Sequence, residues 1–219
     1  MEKILAPSLN CANFDCLRDE VVRLDAAGAD MFHLDICDGV LTDRLSMGLR
    51  DLQSVRRNTK KPVDVHLYMM NPIRHIDAFV REGADIIYVF PESERFIANA
   101  LYYIRQCGRA PGLAVGWGAS VEALSGLLPL VDYVMVNTAN PVSPGRDFMD
   151  EAWETLQKLI DAKRRYPFKL LVDGAITPDI ISKCWKIGVD GFSMGTGCLF
   201  GPKWESKSYE TIFKELRAL

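Results

Sequence analysis

Long apolar runs are missing from this sequence. None approaches the roughly 20 residues that a membrane-spanning helix requires, so no membrane association is expected. The opening Met1-Glu2-Lys3-Ile4-Leu5 lacks the pattern of a secretory signal. Cysteine is present six times, at 11, 16, 37, 107, 184 and 198, yet no Cys-x-x-Cys pair occurs. That excludes a zinc finger and, without an export signal, leads us to expect reduced thiols in a cytoplasmic protein. An excess of one charge is also absent. The 26 Lys and Arg against 29 Asp and Glu leave a net charge of −3, which gives no reason to expect nucleic-acid binding. No Gly-x-Gly-x-x-Gly follows the first apolar run, so nothing marks a dinucleotide site. No linker or low-complexity stretch interrupts the chain, and one domain over residues 1–219 is expected.

What remains is an ordinary globular composition, 48% hydrophobic and 25% charged over 219 residues, arranged in alternation. Short apolar runs lie near Ile4–Ser8, Met31–Cys37, Val63–Tyr68, Ile86–Phe90, Gly112–Gly116, Tyr133–Asn137, Lys169–Asp173 and Gly191–Met194. Most are continuously apolar, as parallel strands buried on both faces are. Between them run amphipathic helical stretches such as Leu17–Ala26, Pro72–Glu82, Asp150–Arg164 and Pro178–Ile187, with Pro72 and Pro178 suited to a first helical turn. Gly28-Ala29-Asp30, Gly83-Ala84-Asp85 and Gly188-Val189-Asp190 each follow a helix and precede a strand, the glycine fitting a left-handed helix cap. Their spacing is close to multiples of about 27 residues, and eight such units make a small (β/α)8 barrel. An open doubly wound sheet is the structural alternative.

In a barrel the chemistry gathers at the carboxyl ends of the strands. His33-Leu34-Asp35 ends one run, Asp64-Val65-His66 another and Leu171-Val172-Asp173-Gly174 a third. His33 and Asp35 are two apart and share one strand face. Two histidines and two carboxylates can close around a divalent metal, while Gly174 and Gly195-Thr196-Gly197 suit a phosphate. The combination points to a metal-assisted enzyme acting on a small phosphorylated compound.

At these residues the sequence resembles the ribulose-phosphate 3-epimerase family over nearly its whole length. The segments that carry the likeness are Ala6-Pro7-Ser8, His33-Leu34-Asp35-Ile36-Cys37-Asp38-Gly39, Asp64-Val65-His66-Leu67, Asn71-Pro72, Val172-Asp173-Gly174 and Gly195-Thr196-Gly197. The resemblance implies a (β/α)8 barrel, one divalent metal ion (zinc first, with iron, manganese or cobalt as alternatives) and a homo-oligomer. It implies His33, Asp35, His66 and Asp173 as metal ligands, with Asp35 and Asp173 also the catalytic acid and base. Ser8 matches an active-site serine near the substrate. Gly145, Gly174, Gly195 and Thr196 match phosphate-contacting positions, and the Gly174-Ala175 backbone N–H groups suit a phosphate dianion. The implied reaction is C3 epimerisation of a ketose phosphate of the ribulose 5-phosphate and xylulose 5-phosphate type, through an enediolate.

The departures from the family pattern gather in the pocket. Three positions commonly methionine are Cys37, Tyr68 and Asn137, and a usual leucine or isoleucine is Asn10. Val-His-x-Glu reads Val89-Phe90-Pro91-Glu92, the second glycine of Val-Asp-Gly-Gly is Ala175, and the phosphate loop reads Asn140-Pro141-Val142-Ser143-Pro144-Gly145-Arg146-Asp147-Phe148. Buried hydrogen-bonding groups discriminate strongly between substrates, so a ketohexose 6-phosphate such as allulose 6-phosphate is the alternative substrate. A lyase on a similar barrel is disfavoured, because Asp35-Ile36-Cys37-Asp38-Gly39 has no lysine where such relatives carry one. A non-catalytic sugar-phosphate-binding barrel is a third class. Asp38 is expected to close a turn, His75 to face solvent, and Trp153, Trp185 and Trp204 to pack helices on the barrel. Asp64 as a group orienting a ligand, and Tyr68, Trp117 and Arg44 as pocket residues, are left open.

Overall fold

In the computed structural model, residues 2–139 and 147–219 are described. The strands are β1 (Ile4–Pro7), β2 (Phe32–Asp38), β3 (Leu45–Ser46), β4 (Val63–Tyr68), β5 (Ile86–Val89), β6 (Ala110–Gly116), β7 (Tyr133–Asn137), β8 (Lys169–Asp173) and β9 (Gly191–Met194). The helices are α1 (Leu17–Ala27), α2 (Leu49–Asn58), α3 (Ile76–Glu82), α4 (Ile97–Gln106), α5 (Val121–Leu124), α6 (Ala152–Ala162), α7 (Pro178–Ile187) and α8 (Tyr209–Ala218). The sheet order is β1-β9-β8-β7-β6-β5-β4-β2-β3, parallel throughout except for β3. A parallel bridge between Ser8 and His33 joins the end of β1 to β2 and closes the eight parallel strands into a barrel. The open-sheet alternative is thereby set aside. The short β3 was not expected. It folds back antiparallel on the end of β2, pairing Cys37 with Ser46 and Asp38 with Leu45.

The continuous apolar runs conceal a two-residue period. Along β2, Phe32, Leu34 and Ile36 belong to the core that packs under the helices, as do Val63, Val65 and Leu67 along β4. The alternating positions His33, Asp35, Cys37 and Asp64, His66, Tyr68 therefore face the barrel interior. Elsewhere that interior is filled by Met31, Tyr88, Met135 and Leu171. Tyr88 fits because Gly112 faces it: a Cβ there would stand 2.3 Å from the ring.

The repeated Gly-x-Asp triplet has a single structural job. Gly28, Gly83 and Gly188 cap α1, α3 and α7 with φ of 105°, 99° and 107°, a left-handed conformation that costs glycine little. The aspartate two residues on then accepts a backbone N–H from a strand start: Asp30 from Leu5, Asp85 from Val63, Asp190 from Leu170. Each also pairs with a cation, Arg217, Arg56 and Lys163 respectively. These half-buried pairs are worth on the order of 1 kcal/mol each, and they tie together the face opposite the strand ends. Pro72 differs slightly from expectation. It opens a 3-10 turn, Pro72–Arg74, and α3 begins only at Ile76. Among the described residues no helix is long and apolar enough to cross a membrane.

Candidate active site

The carboxyl ends of β2, β4 and β8 bring His33, Asp35, His66 and Asp173 together, one possible ligand atom from each lying within 4.8 Å of the others. His33 is fully buried between two carboxylates. Its Nδ1 is 2.6 Å from Asp64 Oδ1 and its Nε2 is 3.0 Å from Asp35 Oδ1. His66 Nδ1 stands 3.5 Å from Asp35 Oδ1 and 3.7 Å from Asp173 Oδ2, yet neither ring nitrogen has a hydrogen-bond partner among the described residues. The His66 ring is held by stacking on Phe90, with centroids 5.1 Å apart and planes 15° from parallel, and by Tyr68 at 4.3 Å.

Electrostatically the cluster is built for a cation. Burial by itself would lower the His33 pKa, but Asp64 and Asp35 outweigh it and hold it well above the usual imidazole value. Burial would likewise raise Asp35, but the adjacent His33 holds it well below the usual carboxylate range. Asp64 goes the other way: its complete burial raises it, against the pull of His33. With the Nδ1 proton shared with Asp64, His33 Nε2 and Asp35 Oδ1 need a proton or a cation between them. The partnerless His66 nitrogen faces the same point. This donor set can hold a metal ion, and Asp64 behind His33 is the carboxylate that commonly orients a ligating imidazole.

Above the cluster lies a cavity of about 770 Å³. It is lined by every site residue expected from the sequence except His33 and His66, which are fully buried, and Gly145, which lies outside the described residues. Ser8 Oγ donates to Asp35 Oδ2 at 3.2 Å, and Asn10 Nδ2 donates to the same oxygen at 3.3 Å. Tyr68 Oη donates to Asp173 Oδ2 at 3.4 Å and accepts from Asn137 Nδ2 at 2.6 Å. Cys37 lines the wall, and burial raises its thiol pKa. Arg44 also lines the cavity, whereas Trp117 lies in a separate surface recess with Glu122 and Lys158.

Two backbone loops form the far side. Gly174 has a φ of 97° and Ala175 a φ of 55°. A Cβ on Gly197 would come within 2.4 Å of the Ile176 carbonyl oxygen, so the two loops abut through Gly197, while one on Gly174 would come within 3.0 Å of Ala139, just after β7. Among the described residues the N–H groups of Gly174, Ala175 and Gly195 make no backbone–backbone hydrogen bond, which leaves them available to an anion, while the Thr196 N–H is directed at the Cys11 thiol.

Several supporting residues carried no sequence signal. Thr138 donates its hydroxyl to the Asp173 and Gly174 carbonyls. Ser46, on the unexpected β3, donates to the Asp35 carbonyl at 2.6 Å. Ser193 lines the cavity from β9. Trp204, expected only to pack, also donates from Nε1 to the Thr196 carbonyl. Asp38 accepts from the Val40, Leu41 and Met70 N–H groups, as a turn residue does, and His75 is exposed.

Known proteins match the sequence and the fold. A sequence model of the Ribulose-phosphate 3 epimerase family matches residues 4–199. The ribulose-phosphate 3-epimerase of Aquifex aeolicus is 31% identical over 99% of this chain and 96% of its own. That of Treponema pallidum is 33% identical over 90% of this chain and 91% of its own. Among solved structures, a mutant tryptophan synthase alpha-subunit from Pyrococcus furiosus superposes with a TM-score of 0.73 over 100% of both chains, at 16% identity. Thiamine phosphate pyrophosphorylase from the same organism gives 0.66 at 18% identity, over 99% of this chain and 96% of its own. These two bear on the barrel fold alone. The chain belongs to the ribulose-phosphate 3-epimerase family, and it is an isomerase.

Proposed function

We propose that the protein is a metal-assisted 3-epimerase of a ketose phosphate, of the kind that interconverts ribulose 5-phosphate and xylulose 5-phosphate. The observation that carries this reading is the convergence of His33, Asp35, His66 and Asp173, with a fully buried His66 that has no other partner. A divalent ion held by these four residues, zinc in the first instance, would supply Lewis-acid stabilisation for the negative charge of an enediolate. Asp35 on β2 and Asp173 on β8 converge on the barrel mouth from strands three apart around the closed sheet, so that one would take the C3 proton while the other returns one to the opposite face. Ser8 and Asn10 hold Asp35 in orientation, and Tyr68 does the same for Asp173. The N–H groups of Gly174, Ala175 and Gly195 suit the phosphate dianion, and Thr196 and Gly145 are assigned to the same grip from the family pattern.

The six cysteines are all free, which supports a reducing, cytoplasmic setting. Exposed Phe14, Val22, Val40, Leu45, Phe96 and Tyr102 offer apolar contacts for a homo-oligomer, which light scattering would read. The test of the reaction is proton exchange at C3 in deuterated water, followed by proton NMR on zinc-loaded protein. Exchange with product formation on a ketose phosphate is expected. Tight metal binding without exchange on any ketose phosphate would favour a binding barrel and defeat the reading.

A further inference from the structure

The two carboxylates of the cluster are held very unequally. Asp35 is engaged at both oxygens: Oδ1 faces His33 Nε2 at 3.0 Å, and Oδ2 accepts from Ser8 Oγ and Asn10 Nδ2. The Asp173 carboxylate accepts one hydrogen bond among the described residues, at Oδ2 from the Tyr68 hydroxyl at 3.4 Å. Thr138 anchors the Asp173 carbonyl, so its backbone is fixed from another side. The direction of the carboxylate itself depends on the Tyr68 hydroxyl.

That hydroxyl depends in turn on Asn137. A carboxylate only accepts, so the Tyr68 proton goes to Asp173, and the phenol oxygen accepts from Asn137 Nδ2 at 2.6 Å. The Tyr68 ring is packed against His66 and Phe90, with centroids 4.3 and 4.9 Å away, so only its O–H torsion remains to be set. The Asn137 N–H takes the side to which that proton could otherwise turn, and a donor on a hydroxyl oxygen strengthens the hydroxyl's own donation. Asn137 stands directly across from Asp173 in the β7–β8 register and is 3% exposed, yet its amide bonds to Tyr68. An amide is destabilising at this place, because its Oδ1 has no partner among the described residues. A leucine would fill similar space without that cost. What asparagine adds is the N–H on Tyr68.

We propose that Asn137 is a positioning residue for the epimerisation, acting on Asp173 through the Tyr68 hydroxyl and not on the substrate. With the hydroxyl fixed, Asp173 Oδ2 is tied and Oδ1 stays free for proton transfer at C3. Without Asn137 the hydroxyl can turn and the carboxylate can swing, which lowers the fraction of bound substrate in productive geometry. Turnover then falls, while substrate binding, which rests on the phosphate loops, does not. This inference rests on the 3-epimerase reading of the same site.

The test is a double-mutant cycle of Asn137→Leu and Tyr68→Phe in zinc-loaded protein. The substrate is whichever of ribulose 5-phosphate and allulose 6-phosphate the wild type turns over faster. Circular dichroism and zinc content verify that each variant folds and loads, and Asn137→Met takes the place of a leucine variant that does not fold. Asn137→Leu is expected to lower kcat about tenfold with KM within about twofold of wild type. In the Tyr68→Phe background the same substitution should change kcat by less than about twofold, because the hydroxyl through which it acts is gone. An unchanged kcat in Asn137→Leu, a loss confined to KM, or losses that multiply in the double variant overturn the inference and leave the epimerase standing. Absence of C3 exchange on both substrates in loaded wild type defeats the epimerase reading itself, and this inference with it.

Discussion

Replacing Asp64 by Asn should weaken metal binding although Asp64 reaches no substrate. Asp64 sits on β4 directly across from His33 on β2, both fully buried, with Oδ1 2.6 Å from His33 Nδ1. The asparagine carbonyl still accepts the Nδ1 proton, so the ring keeps its orientation. What is lost is the negative charge that makes Nε2 electron-rich. A second cost arises at Oδ2, which has no partner among the described residues. An NH2 group there brings donors to a place without an acceptor, about 1–3 kcal/mol of native-state stability. Loss of such an orienting carboxylate typically costs 10–100-fold in metal affinity, or about 1.4–2.8 kcal/mol. Competition against a chromophoric chelator reads the zinc dissociation constant, and urea unfolding of the metal-free protein reads the stability. Asp38→Asn is the control. Asp38 is also a hydrogen-bonded carboxylate near the barrel mouth, but its bonds go to the Val40, Leu41 and Met70 N–H groups. Zinc affinity within twofold of wild type in Asp64→Asn, or an equal fall in Asp38→Asn, would refute the reasoning.

Ala175→Gly should stabilise the protein by about 0.5–1 kcal/mol, because relief of the left-handed strain at φ 55° outweighs the added chain entropy; a thermal midpoint that is unchanged or lower counts against it. Asp173→Asn should reduce C3 exchange by at least about 10²-fold and also weaken zinc binding, and near-normal exchange would remove Asp173 from the mechanism. In metal-free protein the raised His33 pKa means that the native state binds more protons than the unfolded chain above the unfolded value of about 6.5. Its stabilisation is therefore complete below that pH and is lost as pH rises through the folded value. Urea unfolding in chelator should show this decline, and His33→Gln should flatten it. Burial pushes Cys184 up to about 12, so at pH 8 it should react with iodoacetamide more slowly than the partly exposed Cys16; equal rates by peptide mapping would contradict this.

Local chemistry was enough to read most of the barrel from the sequence. The eight parallel strands show as apolar runs because both their faces are buried, and the Gly-x-Asp triplets mark helix ends because only glycine takes that backbone conformation cheaply. The His33, Asp35, His66 and Asp173 cluster was legible as well, since each of its members stands at a strand end and barrels converge there. Only the tertiary structure decided which residues surround it. Tyr68 and Asn137 are 69 residues apart and Tyr68 and Asp173 are 105 apart, and their bonds exist because the closed barrel faces β4 toward β7 and β8. The two-residue β3, with Ser46 on the Asp35 carbonyl, is too short to leave a pattern. Ser193 lies in an apolar run that reads the same whichever face it presents, and its inward aim follows from the pairing of β9 with β1 and β8. Short-range preferences thus determine where strands and helices begin and end, while long-range closure of the sheet determines which polar side chains meet.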